Sequence, residues 1–193
     1  SPKLHYVPFS NIPIDQRKDT RPILEATFKL PNDDLVTVFA VHFPAPYHPM
    51  IYRKESFNYL NFLHNNLPND RYVIAAGDFN VTTDERQKHQ ILKNTISDYW
   101  TITHDLKPMN TPGTSFYKPK KSWSFLDMIL LGKKFKSPES TWALDLDSLK
   151  VANNYAGQNQ VDDNITIPQS YNMQTGLGVS DHWPIYLEII LKK

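Results

Sequence analysis

The sequence predicts an α/β fold in which strands outnumber helices and sheets stack face to face. Two observations support it: several short apolar segments have the composition of buried strands, and only two segments have helical spacing. The chain has 193 residues, of which 40% are hydrophobic and 21% charged, as in ordinary globular proteins. We therefore expect residues 1–193 to form a single domain, or a large part of one.

The first predicted strands occupy residues 21–30 and 35–43. The earlier segment alternates in part and is rich in strand-forming residues, whereas the later one is apolar on both faces for much of its length. Asn32 and Asp33 between them favour a tight turn, so the two strands are predicted to form a hairpin. Three further strands are predicted at residues 72–76, 125–131 and 183–191.

Two helices and two loops complete the predicted elements. Residues 53–67 carry large apolar side chains at helical spacing, and Pro68 ends this helix. A second helix is expected to begin near Thr82, because Thr82 and Glu85 match the capping-box pattern. Residues 107–121, which contain several prolines, and residues 152–178, rich in Asn, Gln and Gly, are predicted to be loops.

Composition excludes several classes of site. The formal net charge is +1, so any attraction for phosphate groups must be local. The absence of cysteine excludes disulfides, thiolate zinc sites and cysteine nucleophiles. The longest apolar segments are far too short to cross a bilayer, so no transmembrane segment is predicted. Nothing in the composition indicates a cellular compartment.

Four short polar motifs lie at or just after the ends of predicted strands. They are VHFP at residues 41–44, GDFN at 77–80, SFLD at 124–127 and SDHWP at 180–184. Each has a structural explanation when it is taken alone. GDFN is a common turn composition, and a histidine after a strand is more often packed or exposed than catalytic. Asp127 in an apolar run is either a hydrogen-bonding hub or part of a site.

The chemistry of these residues nevertheless favours phosphate binding. Asp78 and Asn80 are two positions apart, so in an extended segment their side chains would point the same way and hold a water or phosphoryl oxygen. A turn would bring Asp181 and His182 into one pocket, where they could bind a hard cation and a phosphate together. Oxygen ligands without cysteine favour Mg²⁺ or Mn²⁺ over zinc.

The order of the four motifs resembles the signature of the endonuclease/exonuclease/phosphatase family. GDFN and SDHxP lie about a hundred residues apart in the expected order, and the resemblance extends over roughly residues 21–191. The family includes DNase I-like nucleases, abasic-site endonucleases, inositol-phosphate phosphatases and neutral sphingomyelinases. The resemblance implies a four-layer α/β sandwich of two mainly antiparallel sheets flanked by helices.

The resemblance also implies roles for the first two motifs. His42 resembles the histidine that contacts the scissile phosphate. Asp78 resembles the general base that activates the attacking water. Asn80 resembles the residue that orients this water and stabilises the phosphoryl oxygens.

The last two motifs complete the implied site. Asp127 resembles the carboxylate that orients a catalytic histidine, and His182 resembles the group that stabilises the charged transition state. Asp181 resembles a metal ligand, so the resemblance implies Mg²⁺ or Mn²⁺ as cofactor. The implied reaction is hydrolysis of a phosphodiester or phosphomonoester by in-line attack of an activated water.

An early Asn and a metal-binding Glu of the family have no match in this sequence, since Glu25 lies on the wrong strand. We therefore expect the chain to be the C-terminal portion of the fold, with the N-terminal part missing. A preceding segment or a second chain would then complete it. The alternative is a catalytically inactive member that binds its ligand without cleaving it.

Substrate identity is left open between nucleic acid, a phospholipid or inositol headgroup, and a small phosphate ester. Several lysines flank the strand that carries Asp127, with Tyr117 and Trp123 among them; these are Lys118, Lys120, Lys121, Lys133, Lys134 and Lys136. This pattern fits a phosphate-facing patch with stacking aromatics, but a solvated loop is the preferred interpretation because the domain as a whole is not basic.

Two other classes of protein fit the motifs less well. A serine hydrolase using Ser180 is disfavoured because Ser180, Asp181 and His182 are consecutive and no GxSxG elbow occurs. A carbohydrate-binding β-sandwich would leave Asp127 and the GDFN turn without a shared purpose. A single cluster of His42, Asp78, Asp127 and His182 would disfavour both classes.

Overall fold

The computed structural model describes residues 1–17 and 20–192. The strands within these ranges are β1 (Lys3–His5), β2 (Ile23–Lys29), β3 (Leu35–His42), β4 (Tyr72–Asp78), β5 (Trp100–Ile102), β6 (Ser115–Tyr117), β7 (Ser122–Ser124), β8 (Asp127–Gly132), β9 (Trp142–Val151), β10 (Asn159–Asp162), β11 (Ile165–Pro168) and β12 (Ile185–Leu191). The helices are α1 (Met50–Asn65), α2 (Thr83–Gln87) and α3 (Ile91–Ile96).

A six-stranded sheet forms the centre of the molecule, with strand order β1-β2-β3-β4-β8-β5. The predicted hairpin of β2 and β3 is confirmed, and Asp33 in its turn has a positive φ of 70°. Strands β3 and β4 are parallel and are connected through α1, whereas the other neighbours in the sheet are antiparallel. This connection places the carboxyl ends of β3 and β4 side by side.

The helices cover one face of the six-stranded sheet. Phe57 and Leu60 of α1 pack against Phe39 of β3 and Phe79, and all four side chains are fully buried. The predicted first helix is confirmed within three residues at each end. The capping box of Thr82 and Glu85 is also confirmed, but it begins a helix of only five residues. Gln90 in the left-handed conformation separates α2 from α3.

A two-stranded ribbon of β9 and β12 packs on the other face of the sheet. Its Trp142, Leu144 and Ile189 contact a cluster that contains Val36 and Tyr72 of the sheet. The α/β prediction with few helices is confirmed, but the described residues do not form two large stacked sheets. They form the six-stranded sheet and three two-stranded ribbons. One ribbon is β9–β12, and the other two are the separate hairpins β6–β7 and β10–β11.

Both predicted loops contain strands. Residues 107–121 include β6, and residues 152–178 include the hairpin β10–β11, so the prediction of unstructured loops was wrong in part. Asp163 and Asn164 turn this hairpin at positive φ. The hairpin strands have four residues each, which is too short for periodicity to distinguish them from a polar loop. None of the described helices combines the length and the apolar character that a membrane crossing requires.

Gly77 allows β3 and β4 to approach closely just before Asp78. Its φ is +137°, and an added Cβ would lie 2.1 Å from the carbonyl oxygen of Val41. We expect Gly77→Ala to lower the free energy of unfolding by about 2–4 kcal/mol, measured by urea denaturation. Gly157→Ala is the control, because Gly157 also has positive φ but open space around it. Equal losses in the two variants would contradict a clash with Val41.

Candidate active site

Three neighbouring strands change from apolar to polar side chains at the same end of the sheet. On the face that the β9–β12 ribbon covers, alternate residues of β3, β4 and β8 are apolar and enter one core cluster. On the same face, the position at the end of each strand is polar: His42 in β3, Asp78 in β4 and Asp127 in β8. Asp78 lies opposite both His42 and Asp127 in the strand register. The fold therefore brings three of the predicted site residues together.

Asp78 and Asn80 are joined by a turn rather than by extended backbone. Asn80 has a φ of 54°, and its backbone N–H donates to Asp78 Oδ1 at 2.8 Å. Its side-chain Nδ2 donates to Asp78 Oδ2 at 3.1 Å and to the Phe43 carbonyl at 2.8 Å. GDFN is therefore both a turn and a polar pair, because the turn brings the Asn80 amide within hydrogen-bonding distance of the Asp78 carboxylate.

Asp78 is the most perturbed carboxylate of this cluster. Burial and the negative charge of Asp127 together raise the pKa of Asp78 to about 6, although His182 acts in the opposite direction. Only 14% of its side chain is exposed. A carboxylate with this pKa is ionised at neutral pH and still accepts a proton readily, as a general base requires.

His42 lies beside Asp78, with Nε2 at 3.5 Å from Asp78 Oδ2. Its side chain is half exposed, so it reaches the open side of the site. Partial burial lowers the pKa of His42, and the positive charges of Arg21 and His182 lower it further. His42 is therefore mainly neutral at pH 7 and can donate a hydrogen bond without a full positive charge.

Asp127 and His182 form a second pair, in which His182 Nδ1 lies 2.8 Å from Asp127 Oδ2. Thr114, which is fully buried, holds both segments: its hydroxyl accepts from the Asp127 N–H at 3.1 Å and its carbonyl accepts from the Trp183 N–H at 2.8 Å. Burial lowers the pKa of His182, but the hydrogen bond and charge of Asp127, with Asp78 and Asp181, raise it overall. The pair thus favours an imidazolium.

Asp181 is exposed, and its charge reaches Asp78, His42 and His182, contributing to the pKa shift of each. Ser180 Oγ accepts from the His182 backbone N–H at 3.1 Å, so this serine caps a turn instead of facing an imidazole nitrogen as a nucleophile would. The exposed carboxylate oxygens of Asp181 suit a hard cation such as Mg²⁺. Within the described residues, however, no group of three or more ligating side chains could hold a metal ion.

Glu25 lies outside this cluster. It sits on the helix-covered face of the sheet opposite Phe39, where its carboxylate binds His5 Nε2 at 2.8 Å and Lys3 Nζ at 3.3 Å. The expectation that Glu25 is not the family's metal-binding Glu therefore agrees with its position.

Arg21 is a charged residue whose influence on His42 was not expected from the sequence. It precedes β2, the neighbour of β3, and its charge acts on His42. No motif marks it, because an arginine before a strand is common. The register of the β2–β3 hairpin was the available signal, since it carries residue 21 towards the end of β3 that holds His42.

We expect Arg21→Gln to raise the pKa of His42, because it removes a positive charge that disfavours the imidazolium. The measurement is a titration of the His42 ring by nuclear magnetic resonance. Arg71→Gln is the matched control, since Arg71 precedes β4 at the opposite end of the sheet. An unchanged His42 pKa in Arg21→Gln would place Arg21 outside the site.

The lysines that flank the strand with Asp127 do not form one surface. Lys118 and Lys121 pair with Asp162 at 3.6 Å and Asp163 at 2.6 Å on the β10–β11 hairpin. Lys133 follows the far end of β8, about 20 Å from Asp127 at about 3.3 Å per residue. Among the aromatic residues, Trp123 stacks on Trp183 at 5.1 Å. These positions agree with the preferred interpretation of the lysines as a solvated, partly paired set.

Solved structures with the same fold come from several organisms. D. rerio TDP2, crystallised with a single-strand DNA product, aligns with a TM-score of 0.69 at 15% identity, over 98% of this chain and 67% of that one. An endonuclease/exonuclease/phosphatase family protein from Leptotrichia buccalis aligns with a TM-score of 0.62 at 18% identity, over 99% of this chain and 60% of that one. A mannosyl-6-phosphatase from Bacteroides thetaiotaomicron aligns with a TM-score of 0.55 at 19% identity, over 90% of this chain and 59% of that one.

These alignments bear on the extent of the fold. The chain spans about two thirds or less of the structures that it matches. The expectation that it is a C-terminal portion is not supported, because the family match already begins at residue 5. The expected loss of the N-terminal part of the fold is likewise not confirmed, since TDP2 aligns with 98% of the chain. No curated protein matches the sequence.

Family membership rests on the sequence as well as on the fold. The profile of the endonuclease/exonuclease/phosphatase family matches residues 5–182, which is most of the chain and includes the first three motifs and the Ser180, Asp181 and His182 of the fourth. The chain belongs to the endonuclease/exonuclease/phosphatase family.

Proposed function

We propose that this protein hydrolyses a phosphate ester by in-line attack of an activated water. The observation that carries this proposal is the convergence of His42, Asp78, Asp127 and His182 at one end of the central sheet. This arrangement offers one base and one hydrogen-bonded cation, which are the groups that water attack on a phosphorus centre requires. Family membership supports the same reaction class.

Asp78 is proposed to be the general base. Its pKa of about 6 lets it remain ionised at neutral pH and take a proton from the attacking water. Asn80 is proposed to orient this carboxylate, because its backbone N–H and side-chain Nδ2 both donate to Asp78. Nδ2 also donates to Phe43, so both of its hydrogens are engaged and Asn80 acts on the substrate through Asp78.

The positive groups are proposed to bind the phosphoryl oxygens. His182, held by Asp127, places a charged N–H donor against the negative charge that develops in the transition state. His42 contributes a neutral donor on the other side of Asp78, and Arg21 adds a positive charge beside His42. Water attack on phosphorus would thus proceed between a base and several donors whose positions are set by the strands.

Mg²⁺ or Mn²⁺ is proposed as cofactor, with Asp181 as a ligand. Mg²⁺ commonly binds through one or two carboxylates together with water and substrate phosphate, so the exposed Asp181 fits this role. When bound, the cation would neutralise charge on the phosphate. We propose that any further protein ligand comes from a preceding segment or a second chain, since the described residues form no group of three ligands.

Nucleic acid is the proposed substrate class, with single-stranded DNA as the first substrate to test. The support is the structural similarity to D. rerio TDP2, which was crystallised with a single-strand DNA product. A phosphomonoester is the second candidate, supported by the similarity to the mannosyl-6-phosphatase. A phospholipid or inositol headgroup is a third candidate, supported only by the range of substrates on which members of the family act.

A catalytically inactive binding member is the alternative function. The observation that favours it is the absence of a group of three metal-ligating side chains in the described part of the chain. The positions of His42, Asp78, Asp127 and His182 suit phosphate binding equally well without turnover.

Turnover with and without metal separates the two functions. The substrates are bis(4-nitrophenyl) phosphate, 4-nitrophenyl phosphate and a single-stranded oligonucleotide, each assayed with Mg²⁺, with Mn²⁺ and with excess chelator. We expect turnover with metal and its loss with chelator. Binding of the oligonucleotide without turnover under any condition would favour the inactive member.

A further inference from the structure

Arg53 on α1 lies outside the cluster of site residues and is buried, with 1% of its surface exposed. A buried guanidinium is unfavourable unless its charge is balanced and its N–H groups are bonded. Both conditions are met, because the Arg53 side chain binds the Glu85 carboxylate on one side and three backbone carbonyls on the other. The two sides belong to two different segments of the candidate site.

The carbonyls belong to residues 43–49, the segment that directly follows His42. Arg53 Nη1 donates to Pro44 O at 3.0 Å and Ala45 O at 2.9 Å, and both Nη atoms lie 3.3 Å from His48 O. Three of these seven residues are prolines, which have no N–H and cannot continue a strand ladder. The guanidinium thus donates hydrogen bonds to carbonyls of a segment that forms no strand ladder.

The carboxylate belongs to α2, which begins at Thr83, three residues after Asn80. Glu85 Oε2 accepts from Arg53 Nε at 3.1 Å, and Glu85 Oε1 accepts from Nη2 in a second hydrogen bond. The same carboxylate closes the capping box by accepting from the Thr82 N–H at 3.4 Å. Arg53 is therefore connected to the first turn of α2 and, through it, to the segment that carries Asp78 and Asn80.

On the side towards Asp78 the two segments are also joined by two hydrogen bonds of 2.8 Å, from Asn80 Nδ2 to the Phe43 carbonyl and from the Phe43 N–H to the Asp78 carbonyl. Attachment on this side and at Arg53 fixes the orientation of the segments as well as their separation. We propose that Arg53 is a positioning residue that sets His42 against Asp78 and Asn80. Its catalytic consequence rests on the proposed function. Only a planar fork of five donors can serve both sides at once, so lysine is not equivalent here.

Arg53→Lys tests the proposal, because it retains the charge and removes the fork. The first measurement needs no activity: hydrogen exchange of the Asn80 side-chain amide, followed by nuclear magnetic resonance. We expect exchange to be at least about tenfold faster than in the wild type, since the Phe43–Asn80 bond opens more often. The second is turnover, where we expect kcat to fall by about 10–100-fold with KM within about threefold.

Arg71→Lys is the matched control. Arg71 makes hydrogen bonds to Thr27 and Thr37 at the opposite end of the sheet, so neither measurement should change. Glu85→Gln is a second variant, which retains an acceptor and removes the charge that Arg53 faces. We expect Glu85→Gln to increase Asn80 exchange and to lower kcat, both by less than Arg53→Lys does.

The outcomes separate this proposal from the proposed function. Faster Asn80 exchange in Arg53→Lys, combined with no turnover in the wild type, would support positioning and refute the phosphoesterase. A folded Arg53→Lys with unchanged Asn80 exchange and a kcat within about twofold of the wild type would overturn the positioning role. If neither Arg53→Lys nor Glu85→Gln folds, Arg53 serves folding and the positioning proposal is wrong.

Discussion

Asp78→Asn is expected to lower turnover strongly and to stabilise the fold. Loss of the base should lower kcat by about 10²–10⁴-fold. The stabilisation follows from the pKa of Asp78, which burial and the negative charge of Asp127 raise from 3.8 to about 6. Because the folded pKa lies above the unfolded one, ionisation of Asp78 disfavours the folded state. The penalty is absent below pH 4, develops between pH 4 and 6, and is complete at neutral pH.

The expected gain for Asp78→Asn is about 1–3 kcal/mol at pH 7.5, reduced by the hydrogen bond from Asn80 Nδ2 that an asparagine oxygen cannot fully replace. Urea denaturation at pH 7.5 and at pH 4, with chelator present, measures it, and the gain should disappear at pH 4. Asp98→Asn is the control, since Asp98 is exposed and its substitution should change neither quantity. A destabilised Asp78→Asn at pH 7.5 would contradict a buried, penalised carboxylate.

Asp127→Asn is expected to lower kcat by about 10²–10³-fold without unfolding the protein. The carboxylate holds the His182 ring through a hydrogen bond of 2.8 Å to Nδ1 and favours its charged form. An asparagine can hold the ring but supplies no charge, so the phosphoryl oxygens lose most of the cationic donor. The measurement is kcat over a range of pH, together with the thermal midpoint of unfolding.

Asp162→Asn provides the comparison for Asp127→Asn. Asp162 also pairs with a cationic side chain, Lys118 at 3.6 Å, but on the surface hairpin β10–β11. We expect less than about a twofold change in kcat, because exposed ion pairs contribute little. If Asp127→Asn retained the kcat of the wild type, the Asp127–His182 pair would be structural.

Residues that combine a motif with a strand end were predictable from the sequence. His42 and Asp78 follow apolar runs and Asp127 precedes one; the alternation of these runs indicates which face each side chain occupies, and the strand register then brings the three together. The capping box of Thr82 was equally readable, since its contacts are local. For Asn80 the sequence left an extended segment and a turn both open, and its positive φ corresponds to the turn.

Contacts between distant segments were not predictable in this way. Arg53 looks like one more polar residue of an amphipathic helix, yet it is buried because the carbonyls of residues 43–49 and the Glu85 carboxylate meet there. Arg21 has no motif, and its place depends on the hairpin register. The division of the strands outside the central sheet into three two-stranded ribbons was not predictable either, because a period of two does not specify which strands pair.

The central claim is that this site directs water to phosphorus. Hydrolysis of bis(4-nitrophenyl) phosphate by the wild type with Mg²⁺ or Mn²⁺ in water enriched in oxygen-18 tests it most directly, with mass spectrometry of both products. We predict that the label appears in the phosphate product and that Asp78→Asn forms labelled product at least about a hundredfold more slowly than the wild type. Label in the nitrophenol, or labelled phosphate formed equally by Asp78→Asn, would contradict it.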